Sequence, residues 1–482
     1  GWGREGHVMR KRLEVEFEGE GVVLASRVAR EEARLFEEGV VSQKVLMQKA
    51  AEGIFRVALE FIEREGFGRE VVVLCGKGNN GGDARCVAER FVDAGFKVSL
   101  YNIFDLTDSK SVIFPENCLL IDGIVGTGFH SELTGVAKEV VQKLNSSPSR
   151  VLSIDIPSGV SGDTGEVQGV AVQADLTVYI GSLKVGHFYN QGFDYAGELI
   201  KVDIGLFLNI SPFAHVVNRR IIPNNLPTRL RTAHKYSVGQ VLVIAGSPGM
   251  AGAATIAATA ALKSGAGIVK IFHPPGMECE FANAPPEIIK HPLENMESIA
   301  KELYRTKSLL VGSGLGRSEN IPKILEALYK SVSCPLVIDG DALFFFEGGV
   351  KNAILTPHKG ELQHLLKIKE PIDDLKLLQL AQEFADKHDV VLVCKGAPTT
   401  IIAKNFPKII IPYGNSGMAS AGMGDALAGI IASFLAQGKK IREAAILGAS
   451  VHALAGDAAK ELKSEYSLIA TDLINALPKI FK

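Results

Sequence analysis

Short, unbroken apolar runs alternate with stretches of helical spacing along most of the chain, and this alternation constrains the fold more than any other feature. In the first half the runs are VVVLC (71–75), KVSLY (97–101), CLLID (118–122), RVLSID (150–155), LTVYI (176–180) and ELIKVDIG (198–205). In the second half they are VLVIAG (241–246), GIVKIF (267–272), SLLVGSG (308–314), PLVIDGD (335–341), AILTPH (353–358), VVLVCKG (390–396) and KIIIP (408–412). Residues 42–65 carry apolar positions at helical spacing ahead of the first run. A strand buried on one face alternates apolar with polar residues. An unbroken run implies burial on both faces, and so a parallel sheet covered by helices. The expected class is α/β.

The alternation is interrupted over residues 206–236, where prolines, paired asparagines and clustered arginines take its place. A chain of 482 residues is also too long for one ordinary core. A boundary near 215–220 is expected, giving domains over 1–217 and 218–482. A net charge of −2 leaves no basic excess to neutralise nucleic-acid phosphates. The long small-residue stretch over 251–269 is Ala-rich and interrupted by Lys263, so it reads as a buried helix and not a membrane span. Cys75, Cys86, Cys118, Cys279, Cys334 and Cys394 form no CxxC pair, so free thiols and a reducing cytoplasm are expected. The N-terminal residues show no apolar core of a secretory signal, and residues 1–8, ahead of Met9, are set aside from the fold.

Two glycine-rich elements stand where a strand or loop gives way to a helix: GKGNNGGD (76–83) and NSGMASAGMGD (415–425). Such a junction aims backbone N–H groups and a helix N-terminus at one point, which favours phosphate. The first is neither a Walker loop nor a dinucleotide fingerprint. Asn80 offers an amide oxygen to a cation, and Asp83 is placed to cap the following helix. DGIVGTGF (122–129) and DIPSG (155–159) put Asp122, Asp155 and Ser158 at further strand ends, where open α/β sheets bind ligands. Asn80, Asp122 and Ser158 supply oxygen donors for one hard cation, and Asp155 is a candidate general base.

In the second half, Asp425 of AGMGD (421–425) is placed to take a proton from an acceptor hydroxyl beside a helix start that stabilises a phosphoryl group. VCKGAPTTII (393–402) reads as a strand followed by a nucleotide-contacting turn. TPHKGE (356–361) adds His358 and Glu361, and VIDGDAL (337–343) adds Asp339 and Asp341, at least one of which caps a turn. GSGLG (312–316) and GSPGMAGAA (246–254) supply close-approach glycines.

GKGNNGGD, DGIVGTGF, DIPSG and KVGH (184–187), with LMQKAA (46–51) ahead of them, resemble in content and order the NAD(P)H-hydrate epimerases, whose fold is a Rossmann-like three-layer sandwich. The resemblance implies that Asp155 is catalytic and binds substrate, and that Asn80, Asp122 and Ser158 hold potassium. It also implies substrate contacts from Asn79, Asn80, Gly81, Gly82 and Asp83, and from Gly126, Thr127, Gly128, Phe129, His130, Ser131 and Glu132. Ala51 and Ala84 stand where that family usually has glycine, and Ala84 is expected to add a methyl at the loop's closest approach to ligand.

From about residue 234 onward the chain is similar to the ribokinase-like ADP- or ATP-dependent NAD(P)H-hydrate dehydratases. The similarity implies that Asp425 is catalytic, and that Ala253, Gly314, His358 and Asp425 contact the hydrated substrate. It implies a nucleotide cradle of Lys395, Gly396, Ala397, Pro398 and Thr399 with Asn415, Ser416, Gly417 and Gly424. HKYSVG, Ser313 and Met423 depart from the usual pattern, although a backbone amide at Met423 serves as well as one at Ser. Together the resemblances imply a fused repair activity: R and S hydrates of NADH or NADPH interconverted at one site, and the S form dehydrated at the other. ADP with Mg2+ would serve the second site and K+ the first, in a cytoplasmic homo-oligomer without nucleic-acid or membrane partners. The competing readings are a ribokinase-like small-molecule kinase fused to an accessory domain, and a binding scaffold like those of messenger-RNA decapping assemblies. The intact Asp155 and NNGGD loop speak against the scaffold.

Overall fold

The computed structural model describes residues 15–482. The segment 1–8 that the sequence reading set aside lies outside the described residues. The chain forms two compact units, one over Gly21–Ala214 and one in which residues up to Glu20 join His215–Lys482.

In the unit 21–214, six parallel strands run in the spatial order Lys97–Asn102, Glu70–Cys75, Leu119–Gly123, Arg150–Ile154, Leu176–Ile180, Glu198–Val202. Val71, Val73 and Cys75 face one apolar layer, and Val72 and Leu74 face the other. That two-sided burial is why the run VVVLC has no polar alternation. One layer is the helix Gln43–Glu65, begun by Ser42 accepting from the Val45 N–H and ended by Gly66 at φ 71°. The opposite layer is Gly135–Asn145, which buries Ala137, Val140, Val141 and Leu144. The result is a three-layer, doubly wound sandwich. Its first strand in chain order, Glu70–Cys75, pairs with the second on one side and the third on the other. Connections leave in opposite directions at that point, which opens a crevice above the strand ends.

In the other unit the strands follow the order Ile289–Pro292, Ile268–His273, Gln240–Ile244, Ser308–Val311, Leu336–Ile338, Ala353–Leu355, Val391–Cys394, Thr399–Ile402, Ile409–Ile411, and then His215 and Val216. The sheet is parallel except at Thr399–Ile402, which runs antiparallel to both neighbours. The expected strand-then-turn over 393–402 is therefore a hairpin. Ile289–Pro292, which the apolar-run criterion does not detect, is a half-exposed edge strand containing Lys290 and His291. Helices Ala251–Lys263 and Met423–Ala436 pack backbone to backbone: a Cβ on Gly429 would lie 2.1 Å from the Ala257 carbonyl oxygen. The stretch 251–269 is a buried helix only as far as Lys263; Gly265, at φ 107°, turns it into the strand Ile268–His273. No described helix is long and apolar enough to cross a membrane. All six cysteines are free; Cys75, Cys118 and Cys394 are buried and Cys279 is exposed.

Candidate active sites

The crevice in the unit 21–214 is a cavity of about 870 Å³. Asn79, Asn80, Asp83, Gly126, Thr127, Gly128, Phe129 and Asp155 line it, together with Lys184, Lys77 and, from the helix Ala25–Glu37, Val28, Ala29, Glu32 and Phe36. The helix after the first strand starts at Asn79, with Gly78 as its N-cap. Asp83 therefore lies inside the helix and not at its cap, which corrects the capping expectation. Its carboxyl is pushed up to about 8, first by burial and then by the neighbouring Asp155 and Glu32 charges. Gly81 and Gly82 are packing glycines: a Cβ on Gly81 would lie 2.0 Å from the Gly76 carbonyl oxygen, and one on Gly82 would meet Met47. Ala84 is fully buried on the helix Asn79–Asp93, and its methyl packs on Gly123 at the end of a strand and not in the cavity, which overturns the expected crowding of ligand. His130, Ser131 and Glu132 are exposed and do not line the cavity.

Asp155 follows the strand Arg150–Ile154 with φ 65°, a left-handed backbone that turns its carboxylate toward the cavity. Its Oδ1 accepts from the Lys184 ammonium at 2.7 Å and from the Ile180 N–H at 3.0 Å. Beneath it lies His187. The Lys184 N–H donates to its Nδ1 at 3.0 Å, so the ring proton resides on Nε2 and donates to the Asp155 carbonyl oxygen at 2.6 Å. Burial, then the Lys184 charge, lowers His187 to about 4, so it is neutral. These contacts fix the Asp155 turn from below and its carboxylate from the side. The segment KVGH resembled the family without any role for its residues, and only the tertiary contacts supply one.

Asp122 is fully buried one layer down. Its oxygens accept from Ser153 Oγ (2.7 Å), Ser158 Oγ (2.5 Å) and the N–H groups of Ser158 (2.9 Å) and Ile124 (3.3 Å). Burial still raises its pKa, because the donors do not offset the loss of water. Asn80 donates its amide to the Ile154 carbonyl at 2.8 Å, and among the described residues its buried Oδ1 has no partner.

The second site surrounds the N-terminus of Met423–Ala436, whose N-cap Gly422 has φ 89°. Asp425 lies in the first turn, and its carboxyl is raised to about 7 by burial and then by Asp339, with Lys395 opposing. Lys395 Nζ lies 3.4 Å from Asp339 Oδ1. A Cβ on Gly424 would come within 2.9 Å of the same ammonium. Burial lowers the Lys395 pKa, but Asp339 and Glu361 more than offset it. Asp339 also accepts from Thr356 Oγ1 at 2.8 Å. Asp341 is the turn-holding aspartate: it accepts from the Gly316 N–H at 2.7 Å and pairs with Arg317. Gly314 and Ala253 are brought against each other, with a Cβ on Gly314 reaching 2.9 Å from that of Ala253. His358 caps the helix Lys359–Leu365 in reciprocal bonds with Glu361.

Gly396, Ala397 and Pro398 form the hairpin turn, closed by Thr399 Oγ1 on the Gly396 backbone. Asn415 accepts from the Gly417 N–H at 3.1 Å and donates to Asp457 at 2.9 Å, while Ser416 donates to Glu465 at 2.5 Å. His452, buried and lowered to about 4 by burial, is hydrogen-bonded through Nε2 to the Met423 carbonyl at 2.9 Å. Asp457, Glu465 and His452 stand on or after the long helix Ile441–Lys463 and belong to no glycine motif, so sequence pattern gave no reason to select them.

Residues 241–479 match the NAD(P)H-hydrate dehydratase family, and residues 43–113 and 103–186 match the YjeF-related protein N-terminus family. The chain is similar to a bifunctional NAD(P)H-hydrate repair enzyme of Coxiella burnetii, with 33% identity over 94% of this chain and 98% of that protein. Proteins of the same description are 32% identical in Moorella thermoacetica (96% and 96% covered) and 30% identical in Escherichia coli (90% and 89%). Among solved structures, an ADP/ATP-dependent NAD(P)H-hydrate dehydratase of Bacillus subtilis crystallised with ATP and Mg2+ aligns at 26% identity, with a TM-score of 0.48, over 53% of this chain and 93% of that one.

Proposed function

The chain belongs to the family of bifunctional NAD(P)H-hydrate repair enzymes, and we propose that its two sites divide the repair between them. The cavity around Asp155 epimerises the R and S hydrates, and the site around Asp425 dehydrates the S epimer with a nucleotide. The observation that carries this reading is that each unit has its own catalytic-type carboxyl group near a lysine withdrawn from solvent: Asp155 with the buried Lys184, and Asp425 near the half-buried Lys395.

At the first site, epimerisation requires a bond at the hydrated carbon to break and re-form, which needs a proton acceptor. Asp155, held by Lys184 and Ile180 and aimed into the cavity, is that acceptor. The residues Asn80, Asp122 and Ser158 offer a donor set that would suit potassium. Among the described residues the buried Asn80 Oδ1 has no partner, Asp122 is a buried carboxyl, and Ser158 adds a hydroxyl. All three donors are oxygens, as a hard cation requires. When bound, the ion would neutralise Asp122 and attract the anionic part of the substrate.

At the second site, Asp425 takes the hydroxyl proton of the S hydrate as its oxygen attacks the terminal phosphorus of the nucleotide. The N–H groups at the start of Met423–Ala436 and the Lys395 ammonium face the charge that develops on the phosphoryl group. Phosphate then leaves from carbon and the neighbouring carbon loses a proton, restoring the double bond. Phosphate is a far better leaving group than hydroxide, which is the chemical reason to consume a nucleotide. Among the described residues no cluster of His, Cys, Asp and Glu has the arrangement of a metal cage. Magnesium would therefore arrive with the nucleotide phosphates, its ordinary mode of binding, next to Asp339 and Glu361. The hairpin turn 395–399 and the pinned segment 415–417 would flank the nucleotide. Six free thiols fit a reducing cytoplasm.

The test is to supply purified protein with a mixture of R and S hydrates and ADP, then ATP, and follow recovery of NADH absorbance. Complete recovery is expected with at least one nucleotide and none without. Recovery independent of nucleotide, or net accumulation of a phosphorylated product, would overturn the reading.

A further inference from the structure

The helix Ala25–Glu37 lies outside both matched segments and carries none of the glycine motifs, yet it forms one wall of the cavity around Asp155. Val28, Glu32 and Phe36 recur at intervals of four along it, so they lie in one stripe on the cavity side. The helix start is anchored: the Ser26 N–H donates to Asp163 at 2.9 Å, and Ala25 packs so closely on Gly162 that a Cβ there would lie 2.6 Å from its own. Glu32 is the stripe's single polar member, and among the described residues its carboxyl has no hydrogen bond or ion pair. The Lys184 ammonium on the same cavity wall is already committed to Asp155 and to the Ile180 carbonyl.

We propose that Glu32 is a second catalytic carboxyl of the epimerase site, delivering and recovering the proton opposite to the one that Asp155 handles. This rests on the epimerase reading of the cavity. Water adds to the enamine carbon next to the ring nitrogen, so the hydrate carries its hydroxyl on a carbon bonded to that nitrogen. Asp155 removes the hydroxyl proton, the C–O bond becomes C=O, and the C–N bond breaks with its electron pair on nitrogen. Glu32 protonates that nitrogen. Rotation of the aldehyde and the reverse sequence re-form the ring with the other configuration and return both protons, so no outside reactant is consumed.

The surroundings suit this division. Asp155 is paired with the Lys184 ammonium at 2.7 Å. Glu32 is held above the ordinary carboxyl range, first by burial, with the Lys184 charge opposing and Asp155 reinforcing. The other charged groups on the cavity wall are Asp83 and Lys77, while the helix Gln43–Glu65 presents only Gln43, Leu46, Met47 and Ala50.

Glu32→Gln and Glu32→Asp separate a chemical role from a structural one. Gln keeps the shape of the wall but has no proton to give; Asp keeps the proton and gives up a methylene. With resolved R hydrate as substrate, Glu32→Gln is expected to lower kcat for epimerisation by about 10²-fold with KM changed less than about threefold. Glu32→Asp should retain much more activity than Glu32→Gln, and nucleotide-dependent repair of pure S hydrate should be unaffected by either. Equal activity of Glu32→Gln and wild type, or a greater loss in Glu32→Asp than in Glu32→Gln, would overturn the assignment. A wild-type protein that epimerises no faster than buffer would instead remove the epimerase reading, and this proposal with it.

Discussion

Lys184 Nζ lies 2.7 Å from Asp155 Oδ1, with only 3% and 17% of the two side chains exposed to solvent. Two charges taken this far from water depend on each other, because removing one leaves the other buried and uncompensated. Lys184→Met is therefore expected to destabilise the protein by about 3 kcal/mol or more. It should also abolish most epimerisation while sparing nucleotide-dependent repair of S hydrate. Thermal unfolding and the two assays on one preparation check this; unchanged epimerisation would show that Asp155 does not rely on the pair.

The two units make the activities separable. Asp155→Asn is expected to end epimerisation and leave repair of the S epimer intact, because Asp155 and Asp425 belong to different compact units. Repair of a mixture should then stall with R hydrate left over, apart from slow spontaneous epimerisation, as chromatography of the residual substrate will show. Loss of both activities in a protein with an unaltered circular dichroism spectrum would require one composite site.

Asp425 carries a pH signature. Its pKa is raised to about 7, and a group that accepts a proton must be ionised. The ionised fraction rises with pH, so kcat/KM for dehydration should be maximal above about 7 and fall tenfold per unit well below it. Asp425→Asn should bind nucleotide normally and lose about 10²-fold or more in rate. A flat profile between pH 5 and 8, or near-normal recovery of NADH absorbance in the variant, would remove the assignment.

The unpartnered Asn80 Oδ1 and the buried Asp122 lead to a prediction about ions. Replacing potassium by choline should slow epimerisation and leave dehydration less affected, and zinc should not substitute. Asp122→Asn removes the buried charge, so its epimerase rate should respond weakly to potassium. Crystals grown in potassium salts should show ion density among Asn80, Asp122 and Ser158; a water there at ordinary potassium concentrations would contradict the assignment.

The sequence by itself determined the α/β class, the central strands and the motif-bearing loops. The central strands are buried on both faces, and such burial leaves an unbroken local run such as VVVLC or LTVYI that a linear reading detects. Glycines at strand–helix junctions are equally local, since the turn they permit is made within a few residues. Ile289–Pro292 escaped because a half-exposed edge strand tolerates Lys290 and His291, and so lacks the run.

What only the tertiary structure decided is which isolated polar residues meet. Lys184 and Asp155 are 29 positions apart and Lys395 and Asp339 56 apart, and nothing within either segment signals its partner. The same holds for Ala84, whose methyl was expected at the ligand and faces Gly123, and for Glu32, whose helix has no motif at all. The physical reason is that pairing, burial and pKa depend on distance through space, which the sheet order sets. Periodicity along the chain reports only which face of an element is buried, not what lies across from it.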